Sequence, residues 1–564
     1  MLKKENQINY SFHIFVSFSD IFPDEEIPDV RQILSHFSRK SLLNISLVLE
    51  NNYDEALFSN CVKFFSPENK DQYREIMRRY YDFLESSLNP VASHYFTSFV
   101  TGLEIMRYAY SLPPKDTDDY NHREYEWELF RAILIINQNT ICRFHAIEGI
   151  KRYQLVYLNN LCYVDIGKNM SSFAIQQCVY AYEFFTFLSA HSQKTRALLS
   201  EFEAHYEASW KRYILSLNSA FFLSLKYKGR LDKDLHIDQD RLMDACVLDK
   251  IAMPLMSSKI LKYASESKED RTGNSDYRFF RELPIIETDD FYVLYSSSMI
   301  LGKIYNSLFF DLPKFNKQIT DRTLRVSNVS QLIQVDFIQN TLLTGLICKI
   351  IPSKYSIHTE MMMERRHKKR DDELGPPDLF VQAPNYVILF ECKDIHLNGW
   401  IKEQKDFSLI ITELEEKVLG SRADDHKGVG QLTGHMKSIR DASFPWAKVS
   451  SGKKVYPVLV LSDPNLIQDG FYGIANDKFN ESLRNKGVRN ISANRPLIVM
   501  SPVTLIKYEA NFKKKGLVYY FEKYYRFLKE TNFYELSFEH FMSGKKFNQS
   551  KLIMRIISEI RQKS

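Results

Sequence analysis

Residues 115–148 and 168–228 contain neither Gly nor Pro, and apolar side chains return every three or four positions within them. Trp127, Phe130 and Leu134 set the rhythm in the first stretch, and Cys178, Tyr182, Phe185 and Leu188 in the second. That spacing gathers them on one helical face. The first 325 residues therefore read as mostly helical, except that residues 10–18 alternate as a strand does. Polar and turn-forming residues cluster at 113–119 and at 266–275, and the second cluster predicts a break between two subdomains. No internal repeat or low-complexity tract argues for a solenoid.

Beyond about residue 325 the pattern changes. Residues 330–351 carry an apolar face (Leu332, Val335, Ile338, Leu342) and predict a helix, and 355–361 a strand. Two short apolar runs, 377–382 and 386–393, flank Ala383-Pro384-Asn385 and predict a hairpin. Residues 430–442 predict a helix, and 455–461 and 497–506 two buried strands. Helix, three strands, helix, strand is the order of an α/β domain with a mixed sheet. The fold expected is α+β and multidomain. It comprises a mostly helical region over 1–325, the α/β domain over 326–510 and a basic helical extension over 511–564.

Composition narrows the class. The 564 residues are 44% hydrophobic and 26% charged, which excludes wholesale disorder. The seven cysteines form no C-x-x-C pair, which argues against a disulfide framework or a zinc knuckle. The opening residues lack the apolar core of a secretory signal, and no run approaches a membrane span, so a cytoplasmic protein with no membrane partner is expected. Charge is uneven. Residues 331–564 hold 36 Lys and Arg against 27 Asp and Glu, whereas the preceding 330 hold 39 against 43. A polyanionic partner is thus expected at the C-terminal end.

The chemistry concentrates in Pro377-Asp378 and in Tyr386–Lys393. Alternation along a strand puts Val387, Leu389, Glu391 and Lys393 on one face. An acid and a lysine ending an apolar strand cost desolvation unless they are paired, bound to metal or open to water. If the hairpin forms, Asp378 approaches Glu391, and two carboxylates and an ammonium share one pocket. A hard divalent cation relieves such repulsion, and Mg²⁺ needs only one or two carboxylates. A cation, a lysine and an ordered water are the requirements for hydrolysing a phosphodiester.

Pro377-Asp378 and Glu391-Cys392-Lys393, with twelve residues between the two acids, resemble the signature of the PD-(D/E)xK nuclease superfamily, the restriction-endonuclease-like fold. The likeness covers roughly residues 325–510. It implies that Asp378 and Glu391 hold Mg²⁺ or Mn²⁺, with the backbone carbonyl of Cys392 as a further ligand. It also implies that Lys393 positions the attacking water, and that products carry 5′-phosphate and 3′-hydroxyl ends. Gln431 matches the first position of a Gln-x-x-x-Tyr motif found in some of these families, but His435 stands where the Tyr would be. A further acid is usual on the first helix. Asp336 and Glu360 are candidates, though each reads better as a solvated residue.

Arg365, Arg366, Lys368, Lys369 and Arg370 form a basic run beside the site. It reads either as a phosphate grip or as a solvated loop. His435 is carried with them as a candidate nucleic-acid contact. Lys513–Lys515 and the tyrosines after them read better as a helix with a buried stripe than as a base-stacking platform. In the N-terminal region, Arg31 and His36 match the Arg-x4-His spacing of HEPN ribonucleases, a spacing expected by chance among 14 histidines. Asp116, Asp118 and Asp119 read as a solvated turn. The function expected is a metal-dependent nuclease, DNA favoured over RNA, in a prokaryotic antiviral-defence setting. The expected assembly is a homo-oligomer whose N-terminal region senses a trigger or protein partner. The alternatives are an RNA-cleaving effector with the same three residues and a non-catalytic nucleic-acid-binding scaffold.

Overall fold

The computed structural model describes residues 13–562 apart from 52–57, 59–60, 62–64, 87–92, 98, 141–149, 155, 159–169, 229–246, 250–284, 288–290, 295–296, 368–373, 399–400, 402–405, 421–426, 464–465, 489–493, 546 and 548. The chain divides into two compact units. One comprises Met1–Glu148, Ile166–Lys168 and Ser216–Lys303; the other comprises Gly149–Asp165, Asn169–Leu215 and Ile304–Ser564.

The first unit is chiefly helical, with helices at Arg39–Asn51, Lys70–Ser86, Phe99–Ser111 and His122–Thr140. Phe18, Phe22, Phe58, Phe96 and Phe130 are buried at its centre, with Phe96 stacked on Phe130. The strand expected over 10–18 runs only over His13–Phe15, pairing in parallel with Ser93–Tyr95. Ser17 ends it: its backbone N–H and hydroxyl both donate to Asp20 at 2.7 Å, starting the helix Phe18–Ile21. A small antiparallel sheet places Phe291–Leu294 between Val247–Asp249 and Ile285–Glu287. The break expected at 266–275 lies outside the described residues.

The Gly- and Pro-free run after residue 168 forms three helices: Met170–His191, Gln193–Tyr206 and Trp210–Lys228. Ser192 caps the second by accepting from Thr195 N–H, and Glu207 ends it in the left-handed conformation at φ 50°. Caps punctuate a helix as well as Gly or Pro does. The sheet-bearing unit thus takes in helices that precede residue 325.

Its sheet has five strands: β1 (Ser356–Thr359), β2 (Leu379–Gln382), β3 (Tyr386–Lys393), β4 (Lys454–Leu461) and β5 (Ile498–Met500). Their order is β5-β4-β3-β2-β1, antiparallel from β1 to β3 and parallel from β3 to β5. This mixed sheet among helices is an α+β architecture. β3 sits centrally, and Val387, Ile388, Leu389, Phe390 and Glu391 are all fully buried. Each of its apolar side chains contributes about 1.5–3 kcal/mol by burial. β5 stops at Met500, short of the expected 497–506, because Ser501 accepts from Thr504 N–H and Pro502 opens the helix Pro502–Lys507.

The helix expected at 330–351 is present in three pieces, of which α1 (Leu332–Leu343) is widened to i→i+5 turns. Thr341 and Thr344 hydroxyls follow that spacing, donating to the carbonyls of Asp336 and Gln339. Phe337 anchors α1, packing on Phe184 with ring centroids 4.9 Å apart. Near the C-terminus, Leu517–Thr531 buries Leu517, Tyr520, Phe521, Tyr524 and Leu528 as a stripe, so Tyr520 and Tyr524 are core, whereas Tyr519 is exposed and Tyr525 half-buried. Among the described residues no helix is long and apolar enough to cross a membrane.

Candidate metal-dependent active site

The hairpin register decides who meets whom. Leu379 pairs with Phe390, and one step further along the antiparallel ladder sets Asp378 opposite Glu391. The carboxylate of Asp378 accepts the backbone N–H of Cys392 at 2.6 Å, which ties it to the end of β3. Lys393, two residues beyond Glu391 and so on the same face, brings Nζ to 2.6 Å from Glu391 Oε1. The Lys393 side chain is 27% exposed and that of Glu391 is 0% exposed. The lysine side chain therefore meets the buried acid at its tip and is partly open to solvent.

Glu391 is otherwise unsatisfied. Neither carboxylate oxygen has a hydrogen bond of acceptable geometry, so the contact with Lys393 is an ion pair rather than an aligned hydrogen bond. A buried carboxylate whose oxygens are left short of donors costs several kcal/mol when ionised. Burial accordingly pushes its pKa far up, and the charge of Asp378 adds to the rise against the pull of Lys393. Asp378 is raised too, chiefly by burial, with Lys393 opposing. Burial works to lower Lys393, but Glu391 and Asp378 outweigh it and the ammonium is held more firmly protonated.

Two residues complete the cluster. Gln339, on α1, donates from Nε2 to Asp378 Oδ1 at 2.9 Å and to Glu360 Oε2 at 2.7 Å. The widened turns of α1 bring residues five apart towards one side, and Gln334 likewise donates to the Asp394 carbonyl at 3.1 Å just past β3. Glu360 opens the helix α2 (Glu360–Arg366), and its own N–H donates to the Asp378 carbonyl at 3.1 Å. Burial first and Asp378 second push the Glu360 carboxyl up to about 7. Of the two further acids suggested by sequence, Glu360 is at the site. Among the described residues, no hydrogen bond or ion pair joins Asp336 to it; the Asp336 carbonyl accepts from the Thr341 hydroxyl at 2.7 Å. Gln339 was missed, though a polar residue one heptad from Leu332 and four from Val335 sits on the face that the apolar pattern marks as buried.

Other expected residues lie apart from the carboxylates. Gln431 donates to the Pro376 carbonyl at 3.4 Å, bracing the loop before Asp378 without touching the acids. The surface role expected for His435 does not hold. Its ring is 1% exposed on α3 (Val429–Arg440), and burial, with Lys486 nearby, holds its pKa down to about 3. A neutral, enclosed imidazole offers a phosphate nothing. Cys392 has its thiol buried and pushed far up by burial, so only its backbone is available to the site. Arg365 and Arg366 are exposed on α2, and Lys368, Lys369 and Arg370 lie outside the described residues. In the other unit, His36 pairs with Asp119 at 3.1 Å and Arg31 reaches the Ser111 carbonyl at 3.4 Å. Asp118 accepts from Ser38 N–H and the Ser41 hydroxyl. These four contacts hold the turn in place.

Among the described residues, no three His, Cys, Asp or Glu side chains form a ready metal cage. The residues nevertheless fit a hard divalent cation. Glu391 has buried oxygens without hydrogen bonds, Asp378 stands across the ladder, and one or two carboxylates plus waters suffice for Mg²⁺. Compared with protein-family models, curated proteins and solved structures, the chain matches none.

Proposed function

We propose that the sheet-bearing unit is a metal-dependent nuclease of the restriction-endonuclease-like kind, with DNA as its preferred substrate. The observation that carries this reading is Glu391: fully buried, without an aligned hydrogen bond, opposite Asp378 and in contact with a lysine that also reaches solvent. A structural carboxylate in such a place would be expected to gain donors. Asp378 and Glu391 are the residues that would hold Mg²⁺ or Mn²⁺. When bound, that cation offsets the paired negative charge and polarises a phosphoryl oxygen.

The chain's own groups do the rest. Lys393 orients the attacking water from the solvent side of the pocket and balances charge that develops on the phosphate. The water oxygen bonds to phosphorus as the P–O3′ bond breaks, and a proton passes to the leaving oxygen, giving 5′-phosphate and 3′-hydroxyl ends. Gln339 fixes Asp378 and Glu360 relative to each other, and Cys392 N–H fixes the second Asp378 oxygen. A defence role rests on architecture alone.

The test is incubation of the whole protein with Mg²⁺ or Mn²⁺ and supercoiled, linear and single-stranded DNA and RNA. Cleavage that needs the cation and disappears in Asp378→Asn and Lys393→Ala supports the reading. Cation-dependent cleavage of RNA alone replaces DNA with RNA as substrate. Cleavage unchanged in both variants places the site elsewhere.

A further inference from the structure

The helix α2 begins at the site and ends at the surface. Its residues sort by angle around the axis. Glu360 and Glu364 share one side, and the charge of Glu364 is felt at Glu360. Met363 is fully buried and anchors the helix. The remaining arc carries Met361 and Met362, 52% and 47% exposed, with Arg365 and Arg366 one turn further on. Arg365 Nη2 lies 3.2 Å from Met361 Sδ, and Arg366 Nη1 lies 3.2 Å from His358 Nδ1. Each guanidinium has five N–H groups, so a single contact leaves donors for a ligand.

Two neighbouring methionines, both about half exposed, cost hydration with no visible return in folding. They follow directly on Glu360, which Gln339 joins to Asp378. An apolar tip beside two arginines suits a polyanion that also has flat apolar surfaces to offer. Nucleic acid is that ligand: phosphates meet the arginines, and a soft, unbranched side chain slides between bases.

Resting on the nuclease reading of the same site, we propose that Met361 and Met362 form a wedge that unstacks a base step of duplex DNA beside the carboxylates, while Arg365 and Arg366 hold the flanking phosphates. The wedge would open the step next to the bond that is cut, drawing the scissile phosphate down to Lys393. Intact duplex resists unstacking, whereas mismatched DNA has already given up part of that stacking. The pair would thus matter most on perfect duplex.

The experiment compares wild type with the double variant Met361→Ala, Met362→Ala in the full chain. Both positions are exposed and Ala favours helix, so the fold is retained. On perfect duplex the variant is expected to cut about tenfold more slowly, the factor given by about 1.4 kcal/mol, and on mismatch-bearing duplex less than about threefold. An equal fall on both substrates, or none on either, overturns the wedge. A binding arm in Ca²⁺ uses duplexes carrying 2-aminopurine, whose emission rises on unstacking. Wild type should raise it and the methionine variant should not, and Arg365→Ala with Arg366→Ala should lower the salt slope of binding by about two. Binding and unstacking without any cleavage would keep the wedge and remove the nuclease reading. Failure to bind duplex DNA, or binding without a rise in emission, overturns the wedge itself.

Discussion

Two buried glutamates, one in each unit, show what a carboxylate is for. Glu126, 6% exposed, is surrounded by donors: Ser66 N–H at 3.0 Å, the Ser66 hydroxyl at 3.2 Å and Asn69 Nδ2 at 2.5 Å. Glu391, 0% exposed, has no aligned donor and touches a single lysine. The first charge is solvated by the protein and locks a loop onto the helix His122–Thr140. The second has no such donors, and under the proposed function its oxygens are the ones kept for a cation. A carboxylate met by donors is accounted for by the fold; one without them is where the proposed chemistry can be tested.

That contrast breaks most sharply under substitution. Lys393→Ala and Glu391→Gln are each expected to lower cation-dependent DNA cleavage by about 10³-fold. Glu391→Gln should do so without lowering the thermal midpoint, because the amide keeps the volume of a buried carboxyl that has no aligned hydrogen bond to lose. Cleavage assays beside thermal melts check both halves. A clear loss of stability in Glu391→Gln would erase the distinction from Glu126.

Glu126→Ala should behave oppositely. It strands the Ser66 and Asn69 donors and is expected to cost about 3 kcal/mol in denaturant unfolding of its unit, with cleavage per folded molecule unchanged. Gln339→Ala comes next, with cleavage down about 10- to 100-fold and Mn²⁺ affinity reduced in calorimetry, since it releases two carboxylates at once. Unchanged Mn²⁺ affinity would show that the amide orients nothing the cation needs.

The pH dependence is subtler. Glu360 binds its proton more tightly in the folded protein, about 7 against an ordinary 4.5. Between those values the native state carries more protons than the unfolded chain, so stability falls as pH rises. The contribution is fully present below about 4.5 and is lost as pH climbs through about 7. In chelator, the thermal midpoint should decline over that window, and Glu360→Gln should flatten the decline. The smallest effect is expected from Gln431→Ala. Its 3.4 Å contact braces only a loop carbonyl, and a change of about twofold in cleavage corresponds to the ±0.5 kcal/mol usual away from buried networks.

Much of the sheet was legible because a strand buried on both faces writes itself as an unbroken apolar run. The Ala383–Asn385 turn then fixes which residues face each other. Asp378, Glu391 and Lys393 could be brought together on paper for that reason alone. Gln339 could not, since its aim depends on the widened turns of α1, and the same apolar spacing would serve a regular helix. His435 misled because a polar letter near a motif reads as surface, while the packing of α3 against the sheet encloses it. The end of β5 at Met500 was written in Ser501-Pro502, a capping signal weaker to the eye than the valine and leucine that follow.

Cys392 stands between the two charged residues of β3, yet its sulfur faces the interior and resists ionisation. Thiol-directed reagents should pass it by and label Cys348, the exposed one among the described free cysteines. A fluorophore placed there would report on the folded protein while leaving the acid–lysine cluster chemically untouched.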